Sequence, residues 1–522
     1  MMASADNVVR SVGPQAKFNT ARHSLGILRA VVVTCRYRVS TAYLREQSLS
    51  LHDVIENALA DVVLRQAMLC VGIAGEDTKE PAFVHLKTIN MRRMIEWKEL
   101  VVPEVHAEAH YEDALIRSHE KYHEALWEDL ANKPGWKIVV HHDPRQLGAL
   151  QSKEENALLS LDISFCFHHA YSDGKGGYIF HGDFQRALNN GARPPELQDH
   201  ILYLPTALDL PPAMDKLIPF TLSWPFILRM VWAEILYPVL VPSFLRRLLS
   251  LEPSEADIPW TGAPVDGSNP KVHIRTLFKI DEAQLKGILA QCRSHKTSLT
   301  GLLHALIARS LARLVRDKSF RSTTPIALAG YADPSVAGSA FTPDETIHCL
   351  ITGLSCDYDR DTIRRLQQDK DTRVSDDAAM WAFAQDMTAR LRHKAASLPR
   401  DDIQALSHLI GDWHEFLSKK FGKARDSSWE LSNLGSLSAA NSGTTKAESR
   451  KHSEDEGRWF IDRAIFTQGA NSIGSAICFN VAGVAGHGIY VTVNWQDGIV
   501  DVDLMEKLAD EIRASVDELS ET

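Results

Sequence analysis

Apolar and polar residues alternate along 161–167. Leu161, Ile163, Phe165 and Phe167 fall on one side and Asp162, Ser164 and Cys166 on the other, the period-two pattern of a half-buried strand. The alternation stops at His168. Tyr171-Ser172-Asp173-Gly174-Lys175-Gly176-Gly177 is turn chemistry, with glycines free to take positive φ. From Tyr178 the period changes, and Phe180, Phe184, Ala187 and Leu188 share one helical face. His168 and His169 therefore stand at a strand-to-turn junction, where a rigid scaffold presents side chains to a cleft.

The same reading extends along the chain. Residues 27–35, 82–90 and 136–142 predict strands. Residues 51–70 predict an amphipathic helix with Leu51, Val54, Ile55, Leu59, Val62, Val63 and Met68 near one side, and 110–132 a second helix. A new cycle opens with an alternating strand over 271–280. A helix started by Asp281 and Glu282 follows, then another with Thr300 near its start. Later strands are expected at 324–330, 346–358, 475–482 and 488–496. Strands and helices mixed in this way define an α/β (α+β) chain. The glycines at 483, 486 and 488 sit between two strands with no helix after them, which makes a hairpin turn of them rather than a dinucleotide loop. Residues 438–457 hold almost no large apolar side chain and read as a mobile surface loop.

At 522 residues the chain is long enough for two cores. Its apolar share of 44% and charged share of 24% are globular. A net charge of −10 argues against a nucleic-acid binder, which needs a basic face. Seven cysteines form no CxxC pair, which suggests reduced thiols and a cytoplasmic protein. No secretory signal, prenylation signal or Walker loop is visible, and there is no GxSxG.

Three readings of His168-His169-Ala170-Tyr171-Ser172-Asp173-Gly174 are open on these residues alone. The side chains could satisfy backbone groups at a turn. His169 and Asp173 could hold a metal with His181 or His142, although no zinc-type spacing accompanies them. Or His169 could be a general base, since imidazole exchanges protons near neutral pH.

The stretch resembles the HHxxxDG hallmark of the chloramphenicol acetyltransferase-like superfamily, and the whole chain is most similar to the fungal alcohol acetyltransferases. The start "VRSVGPQAKFNTARHSLGILRAVVV" resembles that family's opening, with Arg-x-x-Gly before the first strand. Trp260 and Gly262 resemble its mid-chain Trp-x-Gly, "ELSNLGSL" its Ser-Asn-Leu-Gly signature, and "FTQGANSIGSAICFNVAG" its C-terminal strand block. The Asp-Phe-Gly-Trp-Gly motif of the plant BAHD branch is absent.

The resemblance implies two chloramphenicol acetyltransferase-like domains, each a mixed sheet flanked by helices, with a channel between them. The expected division is 1–215 carrying HHxxxDG, an apolar crossover at 216–260, and 261–522 carrying SNLG. It implies O-acetyl transfer from acetyl-CoA, a co-substrate, to a hydroxyl of a small alcohol or secondary metabolite, with no metal. His169 is then the base, Ser432 or Asn433 the oxyanion donor, and Asp173 an orienting residue paired with an arginine. His168, Gly174 and Trp232 are expected along the substrate channel. The alternatives are condensation from a carrier protein, or an inactive binding protein of the same fold. A monomer is expected.

Residues 217–249 are the most apolar part of the chain. Arg229 and Glu234 interrupt the run, and four prolines break it, so it does not span a membrane. It reads as a flap buried against the body, or as a membrane-surface patch led by Trp224, Trp232 and Tyr237.

Overall fold

A computed structural model describes residues 7–46, 49–148, 157–191, 197–232, 236, 257–367, 373–437 and 458–521. Two sheets dominate it. The first has five strands in the order Phe460–Gln468, Val31–Ser40, Leu158–Phe167, Trp136–His142, Ile95–Glu99. The second has six, in the order Val272–Ile280, Gly488–Gln496, Ser475–Val484, Ser427–Leu437, Phe320–Ala327, Ile351–Tyr358. Strand Phe460–Gln468 lies in the second half of the chain, yet pairs antiparallel with Val31–Ser40.

The expected strand at 161–167 is present, but it is not half-buried. Both of its faces are covered. Ile163, Phe165 and Phe167 pack with Ile55 and Leu59 of helix Leu51–Arg65 and with Phe180 and Phe184 of helix Gly174–Asn189. The polar side lies under helix Ala107–Glu124, whose His119 reaches Ser164 and Thr34. Asp162 is 1% exposed and sits between Arg36 Nη2 at 3.0 Å and Arg463 Nη2 at 2.9 Å. Polar alternation here records buried pairs rather than solvent.

Helix Glu282–Ser294 begins with a capping box between Asp281 and Gln284, and helix Leu299–Leu314 is capped by Ser298. These helices, with Ala378–Ser397 and Val502–Glu521, cover one face of the second sheet. The other face turns toward strand Phe460–Gln468: Thr492 Oγ1 donates to the Phe466 carbonyl at 2.7 Å. The 483–488 glycines form the expected hairpin, Val484 pairing with Gly488. The strand expected at 27–35 is shifted to Val31–Ser40, because Pro14–Ser24 folds as a helix and its exit occupies the preceding residues.

The crossover departs from the expected flap. Helix Trp224–Val231 has no buried residue, and Trp224, Leu228 and Trp232 are 76%, 64% and 51% exposed. It is held at its start, where Asp401 accepts from the Ser223 N–H at 2.6 Å and from its hydroxyl at 2.8 Å. Glu234, Tyr237 and the rest of 217–249 beyond Leu236 lie outside the described residues, as does the 438–457 loop. No helix among the described residues is long and apolar enough to cross a membrane.

Candidate active site

Asp173 ends the turn after the first motif and starts helix Gly174–Asn189 as its N-cap. Its Oδ1 accepts from Gly176 N–H at 2.9 Å and its Oδ2 from Leu350 N–H at 2.9 Å. Both carboxylate oxygens are thus taken by backbone donors, and among the described residues no arginine pairs with it. The expected arginine partner is corrected on that ground: two main-chain donors supply what a guanidinium would. The Asp173 N–H donates to the His348 carbonyl at 2.9 Å, so the turn is stitched to the segment before strand Ile351–Tyr358 on both sides.

His169 is locked in the same way. Its Nδ1–H donates to the Ser172 carbonyl at 2.8 Å, and its own carbonyl accepts from Asn19 Nδ2 at 3.1 Å. With the proton on Nδ1, Nε2 keeps its lone pair. Burial and the nearby Arg22 guanidinium push the imidazole's pKa down to about 4, which keeps the ring neutral at physiological pH. Cys349 Sγ lies 3.6 Å from Nδ1.

The ring borders a cavity of about 120 Å³ whose wall also includes Arg22, Gly174, Glu430, Ser432 and Asn433. The structure therefore brings both motifs to one cavity. Strand Ser427–Leu437 turns Trp429 and Leu431 into the second core and Glu430 and Ser432 toward the cavity. The two SNLG polar residues differ. Asn433 is committed, its Nδ2 donating to Thr300 Oγ1 at 3.2 Å and its Oδ1 accepting from Gly435 N–H at 2.8 Å. Among the described residues the Ser432 hydroxyl has no hydrogen-bond partner. Gly435 is glycine because its φ is +71°, and Gly174 because a Cβ there would stand 2.3 Å from Leu434 Cδ2.

His168 does not line the cavity. It is fully buried behind the turn, where its Nε2–H donates to Glu76 Oε1 at 2.8 Å and its Nδ1 accepts from Ala170 N–H at 2.9 Å. Glu76 Oε1 also accepts from His23 Nδ1–H at 2.7 Å, and His23 Nε2 accepts from Trp127 N–H at 3.0 Å. Burial works to raise the Glu76 pKa, but the two histidine hydrogen bonds outweigh it and hold it at about 2. His23, Glu76 and His168 are close enough to hold a metal ion. The backbone donors argue otherwise. A ligating histidine offers a bare nitrogen to the metal and a proton to a second partner. Here both far nitrogens face N–H groups, so both protons point at Glu76. The trio is a hydrogen-bonded clamp behind the HHxxxDG turn.

The other suggested ligands are elsewhere. His181 is sandwiched between the Tyr37 hydroxyl at 2.9 Å and the Val33 carbonyl at 3.0 Å, and His142 packs against Trp97. Trp232 is outside the cavity wall, at the end of the exposed helix.

Sequence reasoning missed Arg22, Glu430, Gln468 and Asn471, which form a polar end of the cavity. Arg22 donates through Nη1 to Asn19 Oδ1 at 3.2 Å and through Nη2 to Asn471 Oδ1 at 3.0 Å. Gln468 Nε2 donates to Glu430 Oε1 at 3.1 Å and Asn480 Oδ1 at 2.9 Å. A carboxylate in the middle of the apolar alternation of 427–437 was the available signal.

A neutral histidine and a serine hydroxyl thus share one cavity between two sheets. Residues 90–329 match the family described as alcohol acetyltransferase. A probable alcohol acetyltransferase, FCK4, of Fusarium pseudograminearum (strain CS3096) is 27% identical over 514 residues, 97% of this chain and 94% of that protein. A second, crmB of Aspergillus fumigatus (strain ATCC MYA-4609 / CBS 101355 / FGSC A1100 / Af293), is 21% identical over 511 residues, 95% and 97% of the two chains. Among solved structures, the TRI3 trichothecene 15-O-acetyltransferase from Fusarium sporotrichioides shares the fold with a TM-score of 0.61 at 12% identity, over 98% of this chain and 94% of its own. The first condensation domain of the calcium-dependent antibiotic synthetase does so with a TM-score of 0.54 at 12% identity, over 98% and 96%. Over residues 90–329 the chain is thus similar to the alcohol acetyltransferase family, and its full-length relatives support an O-acetyltransferase.

Proposed function

We propose that this protein transfers an acetyl group from acetyl-CoA directly to a hydroxyl of a small alcohol or secondary metabolite, with His169 as general base. The reading rests on one observation: His169 is pinned through Nδ1–H to Ser172, which leaves Nε2 as a proton acceptor on the cavity shared with Ser432. Nε2 takes the acceptor's proton as its oxygen forms a bond to the thioester carbonyl carbon. The carbonyl oxygen becomes an oxyanion, and the Ser432 hydroxyl donates to it, a contribution of roughly 2.7–4 kcal/mol for a well-placed donor. When the tetrahedral species collapses, the carbon–sulfur bond breaks and the CoA sulfur leaves with the proton from Nε2. The base is restored, and no covalent enzyme intermediate forms.

Asp173 orients rather than reacts in this scheme, holding the turn through Gly176 and Leu350. The two domains are 1–215 and 261–522 with a crossover at 216–260, and strand Phe460–Gln468 is lent by the second domain to the first sheet. The exposed helix Trp224–Val231 gives the crossover a peripheral membrane contact. Purified protein given acetyl-CoA and a panel of alcohols should release free CoA thiol in step with ester. His169→Ala should abolish both. Release of CoA without ester, or ester formation undiminished in His169→Ala, refutes the mechanism.

A further inference from the structure

Behind Glu430 runs a chain of hydrogen-bonded amides. Gln468 bridges Glu430 and Asn480, and Asn480 Nδ2 donates to Thr492 Oγ1 at 3.2 Å and Asn494 Oδ1 at 2.8 Å. Asn494 Nδ2 in turn donates to the Gly469 carbonyl at 3.0 Å. This relay fixes the direction of each amide, so Gln468 presents N–H to Glu430 and holds its Oε1. Among the described residues no hydrogen bond reaches Oε2, although Glu430 is 8% exposed and lines the cavity with His169. Arg22 is near enough to attract Glu430 but makes no ion pair with it, and its own bonds go to Asn19 and Asn471. A buried carboxylate and a buried guanidinium thus stand on one wall without neutralising each other directly, which is costly unless something completes them.

The chemistry of that something is constrained. A cation would be attracted by Glu430 and repelled by Arg22, and an anion the reverse. A neutral group that both donates and accepts suits both, and a hydroxyl is the smallest. We infer that Glu430, backed by Gln468 and accompanied by Arg22, is a subsite for a second hydroxyl of the acceptor, making the substrates diols or polyols rather than simple alcohols. The inference deepens the acetyl-transfer reading and rests on it for which hydroxyl reacts. The subsite itself can be tested without turnover. Burial raises the carboxyl's pKa, which Gln468 and Arg22 oppose, and the carboxylate form gives the hydroxyl a charge-assisted bond that a carboxamide does not.

The test uses cyclohexanol and the cis and trans isomers of 1,2-, 1,3- and 1,4-cyclohexanediol, each with acetyl-CoA. In the wild-type enzyme kcat/KM for at least one diol should exceed that for cyclohexanol by about 10- to 100-fold, the span expected of one hydrogen bond to a charged group. In Glu430→Gln the diol-to-cyclohexanol ratio should fall at least tenfold; a ratio cancels general damage to the enzyme. If that variant does not fold, Gln468→Met, which frees the carboxylate, should lower the ratio in the same direction. Calorimetric binding of the same compounds gives the parallel ratio of Kd values. Should no alcohol be acetylated while a diol still binds at least tenfold tighter than cyclohexanol, the subsite stands and the transfer reading falls. If no diol is preferred in rate or binding, or the preference survives Glu430→Gln, the subsite is refuted.

Discussion

The Lys175 ammonium donates to the main-chain oxygen of Leu434 at 2.5 Å, joining the first turn of the HHxxxDG helix to the SNLG strand. One turn later, the Tyr178 hydroxyl donates to the Gly435 carbonyl at 3.1 Å and accepts from Gly483 N–H at 3.0 Å. The helix that starts at the HHxxxDG turn is therefore also the spacer that sets how far Ser432 stands from His169. Lys175→Met keeps the stem and removes the tether. kcat should fall, and because a misplacement of about 1 Å can cost on the order of 10²-fold, the loss should exceed what a small drop in Tm explains. Steady-state kinetics beside a melting curve check this, and unchanged kcat would show that the tether does not set the site.

His169→Ala and Ser432→Ala should both lower kcat with little change in Tm. In the proposed mechanism the first loses the base, typically about 10²–10⁴-fold, and the second an oxyanion donor, about 10²–10³-fold. Asn433→Ala should differ. Its amide spans Thr300 and Gly435, so its removal should lower Tm and affect kcat only through the strand. If Asn433→Ala costs more rate than Ser432→Ala at equal stability, the oxyanion role passes to Asn433.

What the sequence displayed is what is local. The strand, the turn and the helix from 158 to 189 follow from period and glycine content, and the tether of Asp173 to its own helix is a three-residue relation. The cavity is not local. Arg22, His169, Glu430 and Gln468 come from four separate elements, and only the pairing of Phe460–Gln468 with Val31–Ser40 brings the last of them beside the first. Polarity was also ambiguous. Asp162 and Ser164 read as solvent-facing because a strand pattern records polar positions, and it does not record that Arg36, Arg463 and His119 are waiting for them.

That buried carboxylate should carry much of the stability of the first sheet. Burial works to raise the Asp162 pKa, and Arg463 and Arg36 more than reverse it. Asp162→Ala leaves two largely buried guanidinium groups short of their central partner, and breaking such a pair typically costs about 3–5 kcal/mol. Denaturant unfolding should show a loss of that order. A loss below about 1 kcal/mol would mean that Glu108 and Glu112, the other partners of these arginines, suffice.

Acid should unfold the protein through its buried histidines. Burial lowers His123, His141, His168, His169 and His181 to about 4 and His304 to about 3, against an ordinary value of 6.5. Between those values the unfolded chain binds protons that the folded one does not, so stability rises with pH across the window and drops as pH falls from about 6.5 toward 4. Tm should decline steeply there, with uptake of several protons on unfolding. Where the enzyme stays folded, kcat/KM should lose activity to His169 protonation only near pH 4. A flat Tm from pH 7 to 4.5, or an acid limb centred near 6.5, would show that these rings are solvated.

Trp224 and Leu228 point away from the body on a helix whose start is fixed by Asp401, so their exposure is a property of the folded chain. Two large apolar side chains four residues apart share one helical face, and Arg229 follows on the rim. An amphipathic face of this kind enters the headgroup boundary of a bilayer, aided by anionic lipid where basic residues flank it. The intact chain should pellet with vesicles containing phosphatidylserine, and Trp224→Ser with Leu228→Ser should abolish pelleting. Because neither side chain touches the cavity, acceptor KM should be unchanged, and Tm should hold or rise. Unaltered pelleting together with a raised acceptor KM would reverse the assignment, making the helix a flap that closes over the substrate.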